Sequence, residues 1–189
     1  MNIQTTKIPG ILLIDLQVFK DSRGSFLESY QQIRYKELGL DVEFKQDSHS
    51  HSVKNVLRGL HYQIKRPQGH LVYVIKGTVF DVGVDLRPGS TTFGQWLSFL
   101  LSEDQPQQLF LPAGIAHGFC ALSDEVDILY KCTDFFDPDD EAGLLWCDPD
   151  LKINWPVDEP IISESDSKFP VFKNISNDQL PCFSIGQTQ

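Results

Sequence analysis

The chain has 189 residues, 41% hydrophobic and 22% charged, enough for one well-buried core. Its net charge of −10 argues against a nucleic-acid or anionic-membrane surface, since no global positive field exists. A few converging arginines could still hold a small anion. Cys120, Cys132, Cys147 and Cys182 are widely spaced and form no CxxC pair, so we expect reduced, mostly buried thiols. No stretch reaches the ~20 apolar residues of a membrane span, and the N-terminus lacks a basic segment leading into a long apolar run. A cytoplasmic location is the expectation.

In chain order, the first well-signalled element is a helix. Ser29 with Gln32 reads as a capping box, Ile33 and Leu38 as apolar positions and Gly39 as the stop. Strand signals follow. Leu71 to Leu86 reads as a hairpin turning at Lys76-Gly77, with Phe80, Val82, Val84 and Leu86 on one face. Residues 95–101, 108–111, 119–122 and 126–133 read as short strands, separated by turn clusters such as Arg87-Pro-Gly-Ser90 and Pro112-Ala-Gly114. Short strands at this spacing predict an all-β sandwich or barrel rather than βαβ units. After Trp155-Pro156 the chain turns polar, and Ser163 to Asp166 can start a short helix. There is no repeat or linker, so residues 1–189 are expected to form a single domain.

The five histidines are unevenly placed: His49, His51, His61 and His70 sit close together, and His117 follows in a turn-rich motif. Arg58, His61, His117, Tyr130 and Asp166 make a chemically coherent set. Histidine is the usual general base near neutral pH, a carboxylate fixes its tautomer, a tyrosine can return a proton, and arginine grips phosphate oxygens. Each also has a plain structural reading: a hydrogen-bonded histidine, a wall tyrosine beside Ile128 and Cys132, a helix-capping aspartate. Strict alternation along residues 57–63 puts Arg58 and His61 on opposite faces, so both reach one site only if the strand bulges, for which Gly59 is suited.

Many segments carry a resemblance in order along the chain. They include Asp21-Ser-Arg-Gly-Ser-Phe-Leu-Glu28, Gln46-Asp-Ser-His-Ser50, Val56-Leu-Arg-Gly-Leu-His-Tyr-Gln63, Gln68-Gly-His-Leu-Val72 and Leu111-Pro-Ala-Gly-Ile-Ala-His-Gly-Phe119. Leu129-Tyr-Lys131 and Ile162-Ser-Glu-Ser-Asp166 continue the series. Together they resemble the dTDP-4-dehydrorhamnose 3,5-epimerases, cupin-type jelly rolls that act on sugar nucleotides, from about residue 3 to 170. Residues 171–189 match nothing in the pattern.

The resemblance implies His61 as base, Asp166 as its orienting carboxylate and Tyr130 as proton donor. It implies Arg23, Glu28, Gln46, Asp47, Ser48, Arg58, His70, His117 and Glu141 as substrate-binding positions. It also implies a homodimer whose subunits share a site, a nucleotide-linked 4-keto-6-deoxyhexose as substrate, dTDP-L-rhamnose or related polysaccharide synthesis as pathway, and no metal or organic cofactor. Four positions depart from the pattern: His70 replaces a lysine, Ser48 an asparagine, Phe135-Phe136 a tyrosine pair, and Ser165 a basic residue. Three alternatives stay open: a mono-epimerase acting at C3 or C5 alone, a metal-dependent cupin using His61, His70 and His117, and a sugar-nucleotide-binding protein without catalysis.

Overall fold

Runs with one polar and one apolar face form sheets that must cover their apolar faces. In a computed structural model, which describes residues 1–182, they do so in two packed antiparallel sheets. The first combines β1 (Asn2–Thr5), β2 (Leu12–Asp15), β5 (Gln46–Val53), β7 (His70–Lys76), β10 (Gln107–Leu111) and β12 (Glu125–Cys132), in the order β1-β2-β10-β7-β12-β5. The second contains β6 (Leu57–Gln63), β8 (Thr78–Asp85), β9 (Trp96–Ser102), β11 (Ile115–Ala121) and β13 (Glu141–Gly143), in the order β13-β6-β11-β8-β9. A separate hairpin pairs β3 (Val18–Asp21) with β4 (Gly24–Leu27). The fold is all-β, a cupin-like jelly roll.

Three apolar clusters hold it together. Val72, Val74, Leu109, Leu111, Ile115, Phe119 and Ile128 fill the space between the sheets. Each such side chain contributes about 1.5–3 kcal/mol on burial. On the outer face of the smaller sheet, Leu60, Tyr62, Val82 and Val84 are covered by the C-terminal segment through Leu144, Leu151 and Leu180. Trp96 Nε1 donates to the Leu151 carbonyl and Trp155 Nε1 to the Trp146 carbonyl, both at 2.8 Å, which pins that segment down. The outer face of the larger sheet packs Ile14, Leu71 and Phe110 against Tyr35 and Leu40.

Three expectations need correction. Residues 71–86 are not a hairpin. Strand β7 pairs with β10 and β12, whereas β8 pairs with β11 and β9, so the chain passes from one sheet to the other at Gly77. Gly77 has φ +78 and a Cβ there would strike the Glu125 carbonyl, so the corner demands glycine as a hairpin turn would. Alternation identifies the strands but not their partners. The helix is α1 (Gln32–Glu37), and its cap is Gln31, whose side chain accepts from the Arg34 N–H at 2.6 Å. Ser29 instead offers its carbonyl to the Tyr35 hydroxyl and to Gln108 Nε2. With barely two turns the helix buries one residue, Tyr35, and leaves Ile33 and Leu38 exposed. The thiols also divide evenly: Cys120 and Cys132 are buried, Cys147 and Cys182 exposed, and all four are free. The segment 171–182 lies in the outer layer as short 3-10 turns, while 183–189 falls outside the described residues.

Candidate active site

Between the sheets a cavity of about 310 Å³ opens to solvent, lined by side chains of β5, β6, β7, β11, β12 and β13. Strand β5 alternates strictly: Gln46, Ser48, Ser50 and Ser52 face inward, while Asp47, His49 and His51 face out. His49 and His51 share Asp127 Oδ1 at 2.9 and 3.0 Å on that outer face, as a polar strand face would.

Arg58 and His61 do reach the same cavity. Strand β6 aligns Arg58 with Phe119 and His61 with His117 on β11, so Gly59 and Leu60 together oppose only Gly118. That extra residue is a bulge, and it resets the alternation between Arg58 and His61. Gly59 sits at φ +103, and a Cβ on it would lie 2.5 Å from the His117 carbonyl oxygen. Glycine is the residue that fits this close approach in this conformation.

His61 Nε2 lies 3.0 Å from Asp166 Oδ1. A carboxylate only accepts, so Nε2 carries the proton and Nδ1 the lone pair. Asp166 is delivered by a 3-10 turn (Asp166–Lys168) on the C-terminal segment, which a bridge between Val56 and Ile161 holds beside β6. Its second oxygen accepts from the Gly59 N–H at 2.9 Å. Burial pushes this carboxyl up, but the bonds from His61, Gly59 and Ser163 outweigh it, and the group ends below its ordinary value. The edge of Phe169 packs on the His61 ring at a centroid distance of 5.6 Å.

Around the rest of the cavity the rings are contiguous. His70 lies 5.7 Å from His117 and 5.8 Å from Tyr130, centroid to centroid. His117 Nε2 sits 3.0 Å from both oxygens of Asp81, a fully buried carboxylate on β8. Tyr130 is held above its ordinary value, by burial first and then by the neighbouring Cys132 thiol, with Ser48 and Arg58 pulling the other way; its hydroxyl therefore stays protonated. Solvent touches His70 through the cavity mouth, yet protein packs densely behind it. Burial, helped by His117 and His61, pushes its pKa down to about 3, so the ring is neutral. Arg58 is braced by Ser52 Oγ and the His51 carbonyl, both at 3.1 Å.

Of the expected positions, His61, Tyr130, Arg58, Gln46, Ser48, His70, His117 and Glu141 line the cavity, with Asp166 directly behind His61. Three do not. Arg23 lies on the exposed β3–β4 hairpin, bonded to Asp21. Glu28 pairs with Arg34 at 2.6 Å. Asp47 faces outward and binds Lys131 at 2.9 Å. The sequence reading missed Gln63 and Gln68 in the wall, Asp81 behind His117 and Phe169 against His61. Asp81 had a usable signal, a carboxylate inside an apolar inward strand that must find a partner. Among the described residues no group of three or more His, Cys, Asp or Glu side chains is arranged to hold a metal ion. Nor is any described helix long and apolar enough to cross a membrane.

The family model for dTDP-4-dehydrorhamnose 3,5-epimerase matches residues 5–174. The chain belongs to the dTDP-4-dehydrorhamnose 3,5-epimerase family. It is 51% identical over 167 residues to the dTDP-4-dehydrorhamnose 3,5-epimerase of Pseudomonas aeruginosa, spanning 87% of this chain and 92% of that one. It superposes with a TM-score of 0.92 and 44% identity on the Legionella pneumophila dTDP-6-deoxy-D-glucose-3,5-epimerase in complex with dTDP-4-keto-L-rhamnose, over 97% of this chain and 98% of that one. It is also 38% identical over 169 residues to the dTDP-4-dehydrorhamnose 3-epimerase of Streptomyces niveus, spanning 88% of this chain and 81% of that one. Family membership makes this chain an isomerase and agrees with its all-β fold.

Proposed function

We propose that the chain epimerises a dTDP-linked 4-keto-6-deoxyhexose at C3 and C5, converting dTDP-4-dehydro-6-deoxy-D-glucose to dTDP-4-dehydro-L-rhamnose. The observation that carries this reading is the His61–Asp166 pair opening onto the same cavity as the Tyr130 hydroxyl. A C4 ketone acidifies the hydrogens on C3 and C5. His61 Nδ1 takes one as a proton, and the electron pair of the C–H bond moves into a C=C bond as the ketone becomes an enolate. Asp166 stabilises the imidazolium through Nε2–H. The Tyr130 hydroxyl then gives a proton to the opposite face of the carbon. Acid–base work of this kind supplies roughly 10²–10⁴-fold. Hydrogen-bond donors aimed at the enolate oxygen must supply much of the rest. Arg58, His117 and Glu141 line the cavity, and in this reading Arg58 grips diphosphate oxygens while His117 and Glu141 contact the remainder of the substrate.

Arg23 and Glu28, outside their own chain's cavity, fit a homodimer in which the β3–β4 hairpin serves the partner's site. Phe19 and Phe26, 54% and 69% exposed on that hairpin, are the apolar surface such an interface would cover. We read the chain as one catalytic domain working in the cytoplasm without a cofactor.

The test incubates metal-stripped protein with dTDP-4-keto-6-deoxyglucose in deuterated water. Deuterium at both C3 and C5 is expected. Deuterium at one carbon would favour the mono-epimerase reading, for which the 3-epimerase relative gives a precedent. Exchange only after metal is restored would overturn the metal-free mechanism. His61→Ala should abolish exchange while dTDP still binds, and unchanged activity would remove His61 as the base.

A further inference from the structure

The reaction proposed above does not absorb one feature of the cavity, the imidazole of His70 where the family pattern has a lysine. A lysine at this position can only donate hydrogen bonds. What an imidazole does depends on which nitrogen holds the proton, and here the neighbours decide it. Gln68 Nε2 lies 2.6 Å from the Asp134 carbonyl oxygen. A carbonyl only accepts, so the amide nitrogen of Gln68 must point there and its Oε1 must point the other way. That oxygen lies 3.3 Å from His70 Nε2. An amide oxygen also only accepts, so Nε2 is the protonated nitrogen. In a neutral ring Nδ1 is then the unprotonated one, and it has no hydrogen-bond partner among the described residues. The ring stands in the cavity wall between His117 and Tyr130.

We propose that His70 is a hydrogen-bond acceptor, set in that role by the Gln68–Asp134 relay, and that its Nδ1 takes a hydrogen bond from a hydroxyl of the bound hexose. The residue is thus a specificity determinant that selects a hydroxyl-bearing sugar, where a lysine would offer a charge to the enolate. Two consequences follow from the lone pair. An acceptor facing a developing enolate oxygen would repel it, so the enolate must draw its hydrogen bonds from other donors of the wall. Recognition of a hydroxyl is made equally in the ground state and the transition state, so it acts on KM more than on kcat. The proposal rests on the sugar-nucleotide reading of the site.

Its first test does not depend on that reading. Long-range ¹H–¹⁵N NMR of the labelled, ligand-free protein, with His70→Gln to assign the signals, should show a neutral ring protonated on Nε2. An Nδ1–H tautomer or an imidazolium would overturn the proposal. The second test is kinetic, using dTDP-4-keto-6-deoxyglucose and its 2-deoxy and 3-deoxy analogues. His70→Leu should raise KM about five- to tenfold, as for one neutral hydrogen bond, with a smaller change in kcat. One of the two analogues should show that same loss with wild-type protein and no further loss with His70→Leu. His70→Gln, whose amide oxygen can accept, should recover most of the affinity, and His70→Lys should not. A collapse of kcat at constant KM, or analogue penalties identical in wild type and His70→Leu, would overturn the proposal. Deuterium incorporation by the wild-type protein separately reports whether the epimerase reading itself stands.

Discussion

Asp166→Asn isolates the carboxylate behind the base. Asp166 Oδ1 accepts from His61 Nε2 at 3.0 Å, and Oδ2 accepts from the Gly59 N–H at 2.9 Å. When His61 takes a proton from carbon, the first contact becomes an ion pair. At an effective dielectric near 20 and this separation the attraction is about 5 kcal/mol, and a neutral amide oxygen keeps about 1–2 of it. The loss of about 3–4 kcal/mol corresponds to roughly 10²–10³-fold in kcat. Asparagine has only one acceptor oxygen to share between His61 and Gly59. If that oxygen serves Gly59, the amide nitrogen faces His61, Nε2 must accept, and the proton moves to Nδ1, which blocks the base. This tautomer effect brings the expected total to about 10³–10⁴-fold, a size seen for the equivalent change in a serine-protease triad. Stability follows with a definite sign. The folded-state pKa of Asp166 is depressed, so its contribution is present above the unfolded carboxyl value near 4 and is lost as pH falls through the folded value. The melting temperature of the variant should therefore lie below wild type at neutral pH, and the gap should close in acid. The assays are kcat with the keto-sugar substrate, dTDP affinity by calorimetry, and thermal unfolding against pH. A variant within tenfold of wild-type kcat, with dTDP affinity intact, would refute the role of the carboxylate.

Tyr130→Phe should lower kcat about 10²–10³-fold with little change in KM. Because burial raises the Tyr130 hydroxyl, the alkaline loss of the wild-type donor should fall above the ordinary phenol value near 10, visible in a pH–rate profile that the variant lacks. Gly59→Ala places a Cβ 2.5 Å from the His117 carbonyl oxygen at φ +103, so a destabilisation of at least about 3 kcal/mol and a drop of roughly 10 °C in thermal melting are expected. Asp81→Asn removes a fully buried carboxylate that touches His117 through both oxygens; KM should rise and stability fall, with kcat changed less, measured by steady-state kinetics and denaturant unfolding. Phe26→Asp puts a charge on the most exposed aromatic of the β3–β4 hairpin; sedimentation should show a shift from dimer to monomer, and an unchanged dimer would move the interface elsewhere.

What the sequence made legible was local, and what it concealed depends on pairing. The alternation in residues 70–76 and 78–85 marks both strands, yet the same pattern suits a hairpin and a corner between two sheets. Only the partners, β10 and β12 against β9 and β11, tell them apart, and partners are contacts between distant residues. The helix cap was misplaced for a related reason. Ser29 has the right side chain for a cap, but its carbonyl is engaged by Tyr35 and Gln108, the latter 79 residues away, and Gln31 takes the N-terminus. At the cavity the outcome differs. Arg58 and His61 stand on opposite faces by strict alternation, and Gly59 was the one signal that the count could be broken; the bulge against Gly118 brings both side chains to one cavity. The histidines themselves are visible as letters, but their chemistry is set by acceptors that lie far along the chain: Asp166 for His61, 105 residues on, and Asp81 for His117, 36 residues back. His70 takes its tautomer from Gln68, only two residues away, yet the orientation of Gln68 is dictated by a carbonyl 66 residues distant. A residue type announces that proton chemistry is available, and the fold decides which nitrogen performs it.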